Sequence, residues 1–143
     1  MAGEITVRAS LQVRKGSLSY AGKPDGFTAT MQGTARGETP GLVRATMEGT
    51  LVDLSLLTLP GVYTIQNLDA ANTVHLGIYD PTTFFFSPLN EVQPGEVYPG
   101  RFSKFLAEQL GTGSGTGAVG DALRLMVKSE NADCDVVINA FEA

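Results

Sequence analysis

Several short segments of the chain alternate apolar and polar residues. In residues 4–14 (EITVRASLQVR), every second position from Ile5 to Val13 is apolar, and the positions between them are polar. This period of two is typical of a strand with one buried face, because successive side chains of a strand point to opposite sides. Residues 15–26 (KGSLSYAGKPDG) are rich in turn formers and predict the end of this strand.

The same pattern recurs along the rest of the chain. The further strand candidates are residues 27–34, 42–48, 51–57, 62–68, 72–79, 84–89, 96–102, 122–128 and 134–142. Short strands separated by turn signals predict an all-β protein, an antiparallel β-sandwich of about eight to nine short strands. We expect a jelly-roll-like strand order, with an immunoglobulin-like order as the alternative.

One short helix is predicted in residues 103–111 (SKFLAEQLG). Ser103 is suited to the N-cap, and Gly111 is suited to the position after the last helical turn. No linker divides the chain, so residues 1–143 are predicted to form a single domain. The glycine-rich residues 111–120 are interpreted as a flexible loop within it.

Three consecutive phenylalanines, Phe84, Phe85 and Phe86, stand in the middle of the chain. On a strand, Phe84 and Phe86 would share one face and Phe85 would point to the other. Either another layer of the same chain or another subunit then has to cover the second face, since interface cores favour aromatic residues. The candidate interface residues are Phe84, Phe85, Phe86, Tyr98, Arg101 and Phe102.

The residues that often carry chemistry do not form a recognisable catalytic or metal-binding motif. Residues 115–120 match G-x-G-x-x-G, but a strand-like segment follows where a nucleotide site needs a helix. His75 is the only histidine and Cys134 the only cysteine, so a zinc site is not expected. The carboxylates at positions 69, 80, 121, 133 and 135 are interpreted as turn residues. We therefore expect a protein that is not an enzyme and has no cofactor or metal.

Charge and composition narrow the class of partner. The net charge is −5, and residues 51–143 hold most of the acidic groups, so nucleic acid is not an expected partner. The N-terminus does not resemble a signal peptide, and no apolar stretch is long enough to span a membrane. The sequence therefore predicts a protein made in the cytoplasm.

The middle of the chain resembles small virion structural proteins of tailed phages. The resemblance rests on residues 67–72 (NLDAAN), on Gly77 to Asp80, on the phenylalanine strand, and on Pro94-Gly95-Glu96 before Arg101-Phe102. The opening ITVRASLQVRKGS and the closing CDVVINAFEA are similar too. Gln93 stands before Pro94, and the residues around it are not diagnostic of the family.

The resemblance implies a virion protein that decorates or stabilises a capsid. Its implied fold is a β-sandwich or jelly roll, and its implied partners are copies of itself, as a trimer or another symmetric homo-oligomer, and the major capsid protein or another virion protein. A tail, neck or head-fibre component is an alternative. A small jelly roll that binds a ligand or a sugar is another, although the inward positions of the regular strands are apolar.

Overall fold

The computed structural model describes residues 5–8, 10–22, 27–29, 40–57, 59–110 and 122–142, without the side chains of residues 27–29. The chain divides into two compact units, Met1–Gln32 and Gly33–Ala143. Each unit is described by itself, and a single domain over residues 1–143 stays a prediction. The predicted glycine-rich loop lies outside the described residues, as does Gly111.

The first unit contains two antiparallel strand pairs. Its strands are β1 (Ile5–Val7), β2 (Leu11–Lys15), β3 (Leu18–Gly22) and β4 (Phe27–Ala29), with β1 paired to β4 and β2 paired to β3. The prediction of one half-buried strand over residues 4–14 is wrong, because this segment forms two strands and all five residues of β2 are exposed. β3 was not predicted, although Gly16-Ser17, with Gly16 at a φ of +57°, makes a typical two-residue hairpin turn.

The second unit contains two four-stranded antiparallel sheets. Its elements are β5 (Pro40–Ala45), β6 (Thr50–Leu51), β7 (Val62–Asn67), β8 (Val74–Asp80), β9 (Phe85–Val92), β10 (Val97–Arg101), α1 (Lys104–Gln109), β11 (Arg124–Ser129) and β12 (Cys134–Phe141). Sheet I has the strand order β10-β7-β12-β5, and sheet II has the order β6-β11-β8-β9.

The two sheets share one apolar core, because alternate side chains of their strands point inward. Sheet I contributes Ala45, Ile65, Val136 and Ile138, and sheet II contributes Val74, Leu76, Leu125 and Val127. Each is almost wholly buried, and burial of a valine, leucine or isoleucine side chain stabilises a fold by about 1.5–3 kcal/mol. The prediction of an all-β antiparallel sandwich is confirmed.

The one helix among the described residues is confirmed as well. The Ser103 hydroxyl accepts a 3.1 Å hydrogen bond from the backbone N–H of Leu106, so Ser103 is the N-cap. Ala107 and Leu110 point into the core. The helix therefore covers one end of the sandwich.

The direction of the strands places successive connections at alternate ends of the sandwich. The end that carries residues 52–61, the β8–β9 turn (residues 81–84) and α1 is called the helix end. The opposite end carries residues 46–49, 68–73, 93–96 and 130–133 and is called the turn end. The two ends thus consist of separate sets of connections.

The edges of both sheets are interrupted. β10 contains Pro99, β5 begins at Pro40 beside a left-handed Gly41, and β9 contains Pro88 next to a bulge. The fourth edge strand, β6, has only two residues. Proline lacks the N–H that a neighbouring strand would need, so these edges resist strand addition.

Candidate contact surface at the helix end

The turn between β8 and β9 is held by Asp80. One of its carboxylate oxygens accepts a 2.9 Å hydrogen bond from the backbone N–H of Thr82, and the other accepts a 2.9 Å bond from the Thr83 hydroxyl. These bonds favour the charged form and hold the pKa of Asp80 below its ordinary value. The Asp80 side chain therefore holds two successive residues of the turn, Thr82 and Thr83.

Phe84 occupies the last position of this turn. It has a φ of +58°, and it is the one non-glycine residue with a positive φ among those the structure describes. Its side chain is 78% exposed. A bulky residue in the left-handed region is strained, and such strain is concentrated at contact and active sites. Phe84 does not lie in the strand, so the prediction that it shares a face with Phe86 is wrong.

Phe85 and Phe86 begin β9 and point to opposite faces of sheet II. Phe85 is 64% exposed at the helix end. Phe86 is half-buried, and its ring lies over Gly77 of the neighbouring strand. A glycine on the adjacent strand thus accommodates one of the two rings, while the other remains exposed.

Other large apolar side chains are exposed at the same end. Phe105 of α1 is 80% exposed, and Leu56 of the β6–β7 connection is 72% exposed. Leu59, in the same connection, is also exposed. We name Leu56, Leu59, Phe84, Phe85 and Phe105 the helix-end cluster. Four of its members come from three separate connections of the sandwich, and Phe85 begins β9, so the fold, and not one sequence segment, brings them to this end.

The sequence analysis missed Leu56, Leu59 and Phe105. Residues 51–57 were predicted to be a strand, which would have buried alternate side chains, but only Thr50–Leu51 pair with a neighbouring strand. For Phe105 a signal was present. With Ala107 and Leu110 on the inner face of a short helix, the helical period turns position 105 away from the core.

Tyr98, Arg101 and Phe102 have three different environments. Tyr98 is exposed on the edge strand β10, and a hydrogen bond with Glu96 raises the pKa of its hydroxyl. Arg101 is exposed at the helix end of the same strand. Phe102 is only 7% exposed and stacks on Tyr63, with 4.4 Å between ring centroids. Phe102 is therefore a core residue, and its prediction as an interface residue is wrong.

The two residues considered for chemistry, His75 and Cys134, have surroundings that fit a role in the fold. His75 points away from the core and lies 2.7 Å from a Glu130 carboxylate oxygen through Nε2. Cys134 is buried, and burial raises the pKa of its thiol. In the described part of the chain, no three His, Cys, Asp or Glu side chains are grouped so as to hold a metal ion.

The acidic turn residues differ among themselves. Asp69 and Asp80 accept backbone hydrogen bonds within their turns, which agrees with the sequence analysis. Asp133 lies in the β11–β12 turn, but Asp135 belongs to strand β12. Asp121 lies outside the described residues, as do residues 115–120.

Comparisons with protein-family models, with curated proteins and with solved structures found no match to this chain. Among the described residues, no helix has the length and apolar character needed to cross a membrane.

Proposed function

We propose that this protein is a non-enzymatic structural component of a tailed-phage particle, which decorates or stabilises the capsid through protein–protein contacts. The observation that carries the proposal is the helix-end cluster. Large apolar side chains exposed together at one end of a fold commonly mark an interaction site. The sequence resemblance to phage virion proteins supports the choice of partner.

The strand pairing supports a jelly roll as the fold. If the eight strands of the second unit are numbered along the chain, the first pairs with the eighth, the second with the seventh, the third with the sixth and the fourth with the fifth. This is a long antiparallel ribbon folded at its middle. Further pairing of β7 with β12 and of β8 with β11 rolls the ribbon into two sheets. Jelly rolls of eight strands are common in viral capsid proteins.

The composition of the interior favours a contact function over a ligand-binding one. The inward faces of both sheets consist mainly of valine, leucine, isoleucine and alanine side chains that contact one another. A jelly roll that binds a sugar would instead need polar groups converging on a concave face. The fold leaves other large apolar side chains, those of the helix-end cluster, exposed for contact with another protein.

We expect side chains, and not pairing of edge strands, to make the contact with the shell. The prolines and the bulge of the edge strands oppose pairing with a strand of another protein, whereas the helix-end cluster offers apolar area worth about 25 cal/mol per Å² when buried. The hydrogen bonds of Asp80 hold the turn in which the Phe84 ring is already exposed before contact, which reduces the ordering cost of binding. A symmetric homo-oligomer, such as a trimer, would bind through several such ends at once and gain avidity.

The test is binding to empty shells of the phage that encodes the chain, after the native protein has been stripped from them. We expect the double variant Phe85→Glu/Phe105→Glu to lose co-sedimentation with the shells while its solution mass is unchanged. Met47→Glu/Leu68→Glu places the same two charges on exposed apolar residues of the turn end and is the matched control. Equal binding of the double variant and the native protein would overturn the proposal.

A tail, neck or head-fibre component of the same particle is the second candidate function. Antibody labelling of intact phage distinguishes a capsid position from a tail, neck or head-fibre position. Labelling spread over the head supports decoration, and labelling confined to one vertex or to the tail contradicts it.

A further inference from the structure

The β2–β3 hairpin of the first unit has one apolar face. Its register pairs Val13 with Tyr20, Lys15 with Leu18 and Leu11 with Gly22, so these residues point to the same side. Leu11, Val13, Leu18 and Tyr20 are all exposed. Gln12, Arg14, Ser19 and Ala21 occupy the other side. The hairpin is therefore amphipathic, and its apolar side is not covered.

An isolated two-stranded hairpin is at best marginally stable in water. A third layer on its apolar face would provide the burial that the two strands cannot provide for each other. The covering surface needs exposed apolar side chains and, from the composition of the hairpin, a negative charge. Residues 5–22 contain three basic residues, Arg8, Arg14 and Lys15, and no acidic residue.

The outer face of sheet I has both properties. Across its strands, Leu42, Val137, Gln66 and Val97 stand side by side in register. Leu42 and Val97 are exposed. This row is about 14 Å wide, because neighbouring strands are about 4.8 Å apart, and each five-residue strand of the hairpin is about 17 Å long. The row therefore spans most of the length of the hairpin.

Negative charge lies next to this row on the side of the turn end. Asp133 and Asp135 share one cation, Arg44, at 3.7 and 3.2 Å, which leaves an excess of one negative charge. Glu96 directly precedes Val97. Over residues 33–143 the chain has thirteen acidic and six basic residues. The surface thus complements the charge of the hairpin.

We propose that the apolar face of the β2–β3 hairpin packs on the outer face of sheet I of a second copy, with Lys15, which lies on the same side of the hairpin, directed toward Asp133 and Asp135 of that copy. The contact links copies into a homo-oligomer through side chains, without adding a strand to either sheet. It does not rest on the proposed phage role, since it requires only that two copies meet.

The test replaces Tyr20 in the full-length chain with the photo-cross-linker benzoylphenylalanine, which keeps an aromatic ring at this position. Light protein and ¹⁵N-labelled protein are mixed in urea, refolded together, irradiated and analysed by mass spectrometry. The expected product joins the hairpin peptide of one label to a peptide of the other label that contains Leu42, Val137 or Val97. The same cross-linker at Ala21, on the polar side, is the matched control and should give few such products.

Two results would overturn the inference: cross-links only between peptides of the same label, or mixed-label cross-links to a surface other than the outer face of sheet I. If the Tyr20 variant does not fold, the cross-linker at Leu18 probes the same side. A second readout is the solution mass. Val13→Asp/Leu18→Asp should lower the solution mass and weaken shell binding only through lost avidity. The helix-end double variant Phe85→Glu/Phe105→Glu should instead lose shell binding while its solution mass is unchanged.

Discussion

The ring of Phe86 lies over Gly77 of the neighbouring strand, so closely that a Cβ on the glycine would stand 2.8 Å from two of the ring carbons. That Cβ would also collide with the backbone carbonyl oxygen of Ser87. The strand pairing changes register at this point, between Leu76 and Gly77. The bulge and the glycine together make room for an aromatic ring on the outer face of sheet II.

Gly77→Ala should therefore destabilise the protein. The new methyl group meets a backbone atom that cannot move without disturbing β9, and overpacking of this kind costs about 1–3 kcal/mol or more. Urea unfolding followed by circular dichroism measures the change in the free energy of unfolding. An unchanged midpoint would show that the ring and the carbonyl yield to the methyl group at little cost.

Phe84→Gly and Phe85→Gly should change stability in opposite directions. At position 84 glycine relieves a left-handed backbone conformation, and we expect a gain of roughly 0.5–1 kcal/mol after the greater freedom of the unfolded chain is deducted. At position 85 the same deletion places glycine in a strand, with a loss of roughly 1 kcal/mol. Thermal unfolding of both variants measures the difference, and each variant is the control for the other because the same side chain is deleted. A loss of stability at both positions would contradict the strain at Phe84.

Asn67→Ala should be strongly destabilising. Asn67 is fully buried, and its amide donates hydrogen bonds to the carbonyl oxygens of Asn72 at 2.8 Å and Val92 at 3.0 Å. Its removal leaves buried acceptors without partners, for a cost of roughly 2–4 kcal/mol. The adjacent Gln66 is exposed on the other side of β7, and Gln66→Ala should stay within about 0.5 kcal/mol. Similar unfolding midpoints for the two variants would be inconsistent with this role.

Stability should fall in acid, in part through Asp69. Backbone N–H groups of Ala71 and Asn72 donate to its carboxylate and hold its pKa below the ordinary value of 3.8. Because the folded-state pKa is the lower one, this stabilisation is fully present above pH 3.8 and is lost as the pH falls through the folded-state value. Asp69→Asn should be less stable than the native protein at pH 7 and show a shallower decline in acid. Urea unfolding at pH 7 and pH 3, with Glu48→Gln as the control for charge loss, measures the difference; parallel declines would refute it.

Alternation of apolar residues predicted the sandwich because β5, β7, β8, β11 and β12 each contain several residues and turn one face to the core. The same pattern misled in residues 51–57. There Val52, Leu54 and Leu57 are buried because an irregular connection folds over the end of the core, and only Thr50–Leu51 join a sheet. Alternation reports burial, and burial does not require a strand.

The contact surface was less predictable than the fold. Phe102 and Phe105 flank the helix cap at Ser103. The helical period indicates that Phe105 points outward, but no local pattern shows that Phe102 belongs to the core. Their difference arises from Tyr63, which stacks on Phe102 from a strand that is distant in sequence. The position of Phe84 depends on the turn at Asp80, whose hydrogen bonds hold an aromatic residue in a conformation that usually favours glycine. Long-range packing and stored strain of this kind are not visible in residue patterns.

The contrast between the two ends of the sandwich has a consequence for how a coat of this protein would grow. The helix end carries the exposed apolar side chains of the helix-end cluster among charges of both signs, such as Asp53, Lys104 and Glu108, while the turn end carries Glu48, Asp69, Glu96, Glu130 and Asp133 and no basic residue. Copies bound to a shell through the apolar end would present these carboxylates outward, where they repel further copies across a short Debye length and offer no comparable apolar surface. If the proposed role is right, growth would stop at a single layer, and the thickness of the coat would equal the length of one sandwich.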